Sequence, residues 1–498
     1  MSIIQEITKK IHLRPQLRLS WLDISLLSLI FLFIVSGISF VPFHGDESAY
    51  LILSEDYDRI VKNQEFEKVL FNSDGGNKQN LRLTTGSILA FSIGFMRDIT
   101  NNDDPIQKWL WGSSWEGNIA LGNMPTPRLL NMARACSVAM GATGIILFFL
   151  FALKLFSSRL IAWAATLALA TQGGVLVNTR RAMQEGPKFL FLILTGYIAA
   201  LIIKNFRHMH WSRYFLLGAA SGLTLAAKQD TSPMLVAIYL ALAFIPIWNK
   251  GTIQVIFINF LYLGAATILA YAFFLALMPV FWGWWETVFV LIGFALILFQ
   301  LPFLKKGWSA KVWTFIGCTL IFCMTMISPS LWSKLSVPVV SMVEFRDGLV
   351  GAQLASSLNQ NLFGDSIFMN RLAFLMTNVV SSRVMYMENA TFDILPYHEL
   401  INNYERSLLS GRTGSLLIDG LILIFALIGG WFLARNFTAE GWFVIFLLFI
   451  TGTLLFFMIP LLWQRYFLIL QIPYLLLAGV GVNQCWLWVK QYSTGTFT

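Results

Sequence analysis

The chain has 498 residues, of which 57% are hydrophobic, 15% aromatic and only 12% charged. A soluble domain carries about 25% charged residues, so this composition excludes an ordinary globular protein and points to a chain that lives in lipid. The net charge of +9 does not argue for a nucleic-acid partner, because no Lys/Arg run resembles a DNA-binding arm and basic residues collect in the cytoplasmic loops of membrane proteins.

Lys9, Lys10, Arg14 and Arg18 form a basic arm ahead of the first apolar run. That run is too long for a cleaved signal, and no small-x-small cleavage site follows it. By length and apolarity, membrane spans are expected at 21–42, 134–155, 160–178, 188–203, 214–227, 233–248, 254–278, 286–304, 312–330, 416–434, 442–460 and 467–487, about twelve helices in all. Short alternating strands of a barrel are absent from the pattern. The loops "KLFSSR", "KNFRHMHWSR", "WNKG", "KKGWSAK" and "ARNF" are basic and nearly free of acid, which places them and both termini in the cytoplasm. The opposite side holds most of the carboxylates and two long segments, 43–133 and 331–415. The first contains "DESAYLILSEDYDRIVKN" and the amphipathic "LRLTTGSILAFSIGFMRD", which read as surface helices, and an irregular stretch at 101–127. "FWGWWE" at 281–286 reads as an aromatic belt at a helix start. Cys136, Cys318, Cys323 and Cys485 lie in or beside apolar runs without CxxC spacing and read as core residues. "NAT" at 389–391 matches a glycan-acceptor sequon, a pattern common by chance.

The residues that carry chemistry gather on the external side. "HGDESAY" puts His44, Asp46 and Glu47 where the first span leaves the lipid, and ionisable groups held near lipid usually have a partner or a task. "NTRRAMQEGPKF" adds Arg180, Arg181, Glu185 and Lys188; "AAKQDTSP" adds Lys228 and Asp230; "PLLWQRYF" adds Arg465 and Tyr466; Arg82 opens the amphipathic segment. Each cation alone reads as an interface anchor. Together they break the rule that external helix ends are poor in Lys and Arg. Arg holds phosphate oxygens through paired donors, so an acid pair with a ring of cations suggests an anionic, lipid-linked substrate. No metal cluster with clear ligand spacing is present; His44 with Asp46 is a weak cation candidate.

In the order of these elements the chain resembles the GT-C glycosyltransferases, specifically the phospholipid carrier-dependent group that includes protein O-mannosyltransferases and aminoarabinose transferases. The resemblance runs over nearly the whole chain: "HGDESAY" after the first span, "LRLTTGSILAFSIG" in the first loop with Gly86 matching a family Gly, "NTRRAMQEGPKFLF", "KQDTSPML", and the closing "WQRYFLILQIPYLLLAGVG". It departs where Leu83-Thr84-Thr85 replace a Pro pair. The resemblance implies an all-α polytopic membrane protein, a GT-C-type bundle of about twelve transmembrane helices with interfacial helices in its extracytoplasmic loops, forming one integral membrane domain over 1–498. It implies inverting transfer of a sugar from a polyprenyl-phosphate donor to a hydroxyl acceptor (protein, lipid or envelope glycan) at the extracytoplasmic face of the plasma (inner) membrane, with no required cofactor. Asp46 is the expected base, with Glu47 in an undivided pair. Arg82, Arg180, Arg181, Lys228 and Arg465 are expected at the donor phosphate, and His44, Glu185 and Tyr466 nearby. The competing readings are a transporter, which twelve helices with both ends inside would suit, and a ligase or polymerase using a polyprenyl-diphosphate-linked glycan.

Overall fold

A computed structural model describes residues 19–71, 77–303, 366–384, 395–459 and 463–494. The basic arm at 9–18, the expected span 312–330 with Cys318 and Cys323, residues 331–365 of the second external segment and the sequon at 389–391 lie outside the described residues. Within them the chain is helical, with no strand and one isolated bridge between Gln172 and Arg412.

In chain order the helices are α1 (Trp21–Ser36), α2 (Gly45–Tyr57), α3 (Asn77–Thr84), α4 (Ser87–Ile99), α5 (Trp115–Ala120), α6 (Pro127–Phe156), α7 (Arg159–Ala170), α8 (Gly173–Arg180), α9 (Glu185–Lys204), α10 (Trp211–Ala227), α11 (Ser232–Trp248), α12 (Ile253–Leu277), α13 (Trp285–Gln300), α14 (Ile367–Val380), α15 (Leu395–Arg406), α16 (Leu416–Asn436), α17 (Ala439–Met458), α18 (Gln464–Phe467) and α19 (Gln471–Thr494). Eight helical stretches among the described residues are long and apolar enough to cross a membrane, and α1 and α7 are shorter apolar helices. The protein is therefore a multi-pass membrane protein.

Local chemistry sets the ends. Ser20 caps α1 reciprocally with Asp23: the Asp23 N–H donates to Ser20 Oγ (3.1 Å) and the Ser20 N–H to Asp23 Oδ2 (2.8 Å). Thr126 caps α6 and Pro127 sits at its first helical position, where a missing N–H costs nothing. This helix thus begins at Pro127 rather than at 134, and Arg134 falls inside it. The expected span 160–178 is two helices, because Gln172 caps a new helix at Gly173 through its Oε1 (2.5 Å from the Val175 N–H). The segment "LRLTTGSILAFSIGFMRD" likewise breaks, between Thr84 and Ser87. The stretch 101–127 is not wholly irregular, since Ser114 caps the short α5.

Packing runs through the bundle as a chain of neighbours. α6 packs on α1, α7 and α9; α9 packs on α10; α10 packs on α12; α12 packs on α13; α19 packs on α7 and α16; and α11 packs on α17. Lipid supplies no hydrophobic drive between helices, so close van der Waals approach must hold them together. The α16–α19 crossing shows this. A Cβ at Gly429 would stand 2.0 Å from the Leu477 carbonyl oxygen, and one at Gly481 would stand 1.8 Å from that of Phe425. Gly481→Leu is expected to cost about 2 kcal/mol or more. Gly293→Ala, with open space at its Cβ, should change stability by about 1 kcal/mol at most. Thermal unfolding in detergent, followed by Trp fluorescence, checks the contrast; equal midpoints for the two variants would overturn it.

Candidate active site

One end of the bundle collects the ends of α1 and α8, the starts of α2 and α9, the α10–α11 junction and the short α18. The chain leaves α1 at Ser36 because Gly37 leaves room for a guanidinium: a Cβ there would lie 2.2 Å from Arg180 Cζ. Arg180 is fully buried and donates to the Ile34 (2.8 Å) and Phe33 (2.8 Å) carbonyls, to Tyr404 Oη (3.0 Å) and to the Leu409 carbonyl. Carbonyls at a helix C-terminus lack partners within the helix, and a cation there also suits the dipole. Arg180 thus ties α1 to the 404–409 segment.

The acid pair is split by its surroundings. Glu47 is fully buried. Its carboxylate accepts from Arg134 Nε (2.7 Å) and Nη2 (2.8 Å), from the Ala182 N–H (2.8 Å) and from the His44 N–H (2.9 Å). Arg134 also donates to the carbonyls of Ile38 and Val41, both at 3.0 Å. Four of the five guanidinium N–H groups and both carboxylate oxygens are thus engaged inside the protein. Burial pushes the Glu47 carboxyl up, but Arg134 and the Ala182 N–H more than offset it, so the group stays ionised.

Asp46, one residue earlier, faces elsewhere. Its side chain keeps 26% of its exposure. Oδ2 accepts from Arg465 Nη1 and lies 3.8 Å from His44 Nδ1. Oδ1 accepts no hydrogen bond among the described residues. His44 Nδ1 caps α2 by accepting from the Asp46 N–H (3.2 Å), and the His44 ring meets Trp111 edge-on at 6.1 Å. Burial pushes the Asp46 carboxyl up, but Arg465 and, behind it, Lys228 more than offset this and hold it below its ordinary value.

Behind Arg465 lies a buried charge network. Lys188 Nζ donates to the Arg465 carbonyl (2.9 Å) and to Asp230 Oδ2 (2.9 Å). Lys228 donates to Glu185 Oε1, lies 3.4 Å from Asp230 Oδ2 and sits over the Tyr466 ring at 5.1 Å. The Arg465 guanidinium lies over the rings of Trp463 (4.6 Å) and Tyr466 (5.6 Å), which stack on each other. Burial and the nearby Glu185 and Asp46 push the Tyr50 phenol up, so Tyr50 is a neutral hydroxyl beside both acids.

The structure thus brings together Asp46, His44, Glu185, Lys228, Arg465 and Tyr466. It does not bring Arg82 to them. Arg82 donates to both oxygens of Asp56 (2.6 and 2.7 Å), on the last turns of α2 away from Asp46, and to the Lys68 carbonyl (3.3 Å). Arg180 serves backbone carbonyls, as described, and Arg181 Nε donates to the Pro42 carbonyl (3.3 Å) from a buried position. Sequence reasoning overlooked Arg134, although a lone Arg inside the apolar "NMARACSVAM" is itself a signal. It also gave no site role to Lys188, Asp230 or Tyr50. Among the described residues no group of three or more His, Cys, Asp or Glu side chains is placed to hold a metal ion.

No family model and no curated protein matches the chain. Among solved structures it is similar to the protein O-mannosyltransferase Pmt1–Pmt2 complex of S. cerevisiae bound to its sugar donor, at 12% identity and a TM-score of 0.38, over 55% of this chain and 35% of that one. It is similar to the oligosaccharyltransferase of Archaeoglobus fulgidus in its apo form, at 12% identity and a TM-score of 0.43, over 95% of this chain and 52% of that one. It is similar to ArnT from Cupriavidus metallidurans bound to undecaprenyl phosphate, at 12% identity and a TM-score of 0.32, over 93% and 77%. All three likenesses are distant, and the chemistry of the chain rests on its own side chains.

The burial of Glu47 makes one energetic claim. Arg134→Met strands an ionised carboxylate and should cost about 3–5 kcal/mol. Adding Glu47→Gln to that variant should restore more than half of the loss, because the stranded charge is gone. Unfolding in detergent of the single and double variants reads both, and a double variant no more stable than the single one would refute the assignment.

Proposed function

We propose that the protein is a glycosyltransferase that moves a sugar from a polyprenyl-phosphate donor to a hydroxyl acceptor, with inversion at the anomeric carbon. The observation that carries this reading is Asp46: a carboxylate with one open oxygen, held at the edge of a buried cluster that contains Arg465, Lys228 and Lys188. A nucleophile needs a base on one side and a leaving group that can be stabilised on the other, and the cluster offers both side by side. The family resemblance carried by "HGDESAY" and "WQRYF" agrees with it. By the charge asymmetry of the loops, the cluster faces the extracytoplasmic side and both termini face the cytoplasm.

In this reading the acceptor hydroxyl lies against Asp46 Oδ1. Its oxygen attacks the anomeric carbon, the bond from that carbon to the phosphate oxygen breaks, and the hydroxyl proton passes to Asp46. The departing polyprenyl phosphate gains negative charge and needs no proton; Arg465 and Lys228 stabilise it. Glu47 acts on none of these atoms. Through Arg134 and the Ala182 N–H it fixes the first turn of α2, and so the aim of Asp46. Arg465 serves twice: it pairs with Asp46 before donor binds and meets the phosphate afterwards. Exchange of one anion for the other frees Asp46 and raises its basicity when substrate is present.

Purified protein in lipid discs, offered a panel of polyprenyl-phosphate sugars and an envelope extract as acceptor, should release polyprenyl phosphate. Asp46→Asn should lower that release by about 10²–10⁴. Turnover that survives Asp46→Asn, or none with any donor, would overturn the reading. The pH profile gives an independent check. A carboxyl with a depressed pKa stays ionised as pH falls through its ordinary value of about 3.9, so base function at Asp46 should be lost only below that range. Arg465→Gln removes the main stabilising cation and should move the acid limb of kcat/KM, which reports the free enzyme, upward in pH. An unmoved limb would sever Asp46 from Arg465.

A further inference from the structure

Three buried carboxylates are used in full. Glu47 is taken by Arg134 and two backbone N–H groups, and Asp56 by both arms of Arg82. Asp23, at the other end of α1, is taken by Ser20 and Trp163. Asp419 has Oδ2 on Ser382 and Oδ1 in an ion pair 3.2 Å from Arg412 Nε. Two others, both in the charge cluster behind Arg465, each keep an oxygen with neither kind of contact among the described residues. Glu185 is fully buried, with Oε1 on Lys228 and Oε2 without a hydrogen-bond partner among the described residues. The Asp230 side chain is 7% exposed, with Oδ2 on Lys188 and close to Lys228, and Oδ1 equally without a partner. A buried carboxylate oxygen left without a donor is costly, and each needs a reason. Pairing the lysines explains one oxygen of each acid and leaves the other unexplained.

The charge count says what kind of group is wanted. Asp46, Glu185 and Asp230 stand against Lys188, Lys228 and Arg465, so the cluster is already neutral and needs no further cation. The open oxygens call for neutral or weakly charged hydrogen-bond donors. Their location says which molecule supplies them. Lys228 bridges the two acids and lies over the Tyr466 ring, as does Arg465, which holds Asp46. A sugar whose phosphate sits at Lys228 and Arg465 would hang directly beside both acids.

Resting on the polyprenyl-phosphate donor reading, we propose that Glu185 and Asp230 accept hydrogen bonds from hydroxyl or amino hydrogens of the glycosyl unit being transferred, and thereby set which sugar the site takes. They touch neither the breaking bond nor the acceptor. A site built to bond a substrate hydroxyl strongly rejects the analogue that lacks it, because its own buried acceptor is then left unmet.

The test uses the full-length protein in lipid discs, a polyprenyl-phosphate sugar that it turns over, and the same polyprenyl phosphate without sugar as a competitor. Glu185→Gln and Asp230→Asn turn the open acceptor into an amide donor while keeping an oxygen for the lysine. Each should raise the donor KM about tenfold or more without weakening the bare carrier, whose inhibition constant should hold or fall because an anion competing for the lysines is gone. Singly deoxygenated donors should lose a similar factor on the wild-type protein, which needs no variant to fold. On the variant that lost the matching acceptor they should lose little more. Parallel weakening of bare carrier and donor would make the two acids mere lysine holders and overturn the proposal, as would deoxygenated donors that all match the parent. Absence of turnover by wild type with every donor would overturn the glycosyltransferase reading and this inference with it; turnover by wild type with sugar-blind constants would overturn this inference alone.

Discussion

The site hangs on the buried Glu47–Arg134 pair. Arg134 reaches from inside the long apolar α6 to the first turn of α2, and in doing so it also collects the carbonyls of Ile38 and Val41, where the chain leaves α1. Taking two charges into an apolar setting is expensive, and only a nearly complete set of hydrogen bonds makes it tolerable. Here both carboxylate oxygens and four of the five guanidinium N–H groups are engaged. One pair therefore fixes four things at once: the exit of α1, the start of α2, the loop at Ala182 and the direction in which Asp46 points.

Once Glu47 is committed, Asp46 has little freedom. Neighbouring residues on a helix point about 100° apart, so a first turn that buries Glu47 against α6 turns Asp46 toward the far side. There the α18 segment presents Arg465, flanked by Trp463 and Tyr466. The two aromatic rings fill the space around the guanidinium with apolar surface and leave its donors directed inward. Lys188 holds the Arg465 backbone from the opposite wall through its carbonyl. The acid and its cation thus come from opposite ends of the chain, and each is positioned by a separate buried charge.

Much of this was legible in the sequence, and the failures share a cause. Apolar length located most of the helices, and the asymmetry of Lys and Arg drew attention to helix ends of which the fold brings most, but not that of Arg82, to one place. Asp46, Lys228 and Arg465 stood out because charge at such positions is uncommon. What could not be read was the use of each charge. Arg180 and Arg82 look like Arg465 in sequence, yet one satisfies carbonyls at the end of α1 and the other is consumed by Asp56. A guanidinium at a helix end suits an orphan carbonyl, a buried acid and a phosphate equally well, and only the partner decides. The breaks at Gly37 and at Thr171–Gln172 were invisible for the same reason: contacts remote in sequence, with Arg180 and with the 412 segment, set them.

The same criterion, the fate of each donor and acceptor, sorts the polar residues of this cluster and its surroundings more sharply than burial does. Glu47, Glu185 and Lys188 are equally inaccessible. Glu47 has no capacity left and can only hold structure. Lys188 divides its hydrogens between Asp230 and the Arg465 backbone, and so supports the wall. Glu185 and Asp230 are half used, and Asp46 has one oxygen bound and one open. A neutral cluster of this kind is stable by itself, since each lysine and Arg465 has an acid beside it. In the proposed reading it is also responsive, because an arriving phosphate would compete for those cations at low dielectric, where each exchange alters the basicity of the acid left behind. On that proposal, charge balance before substrate arrives and reactivity once it is bound are two consequences of a single arrangement.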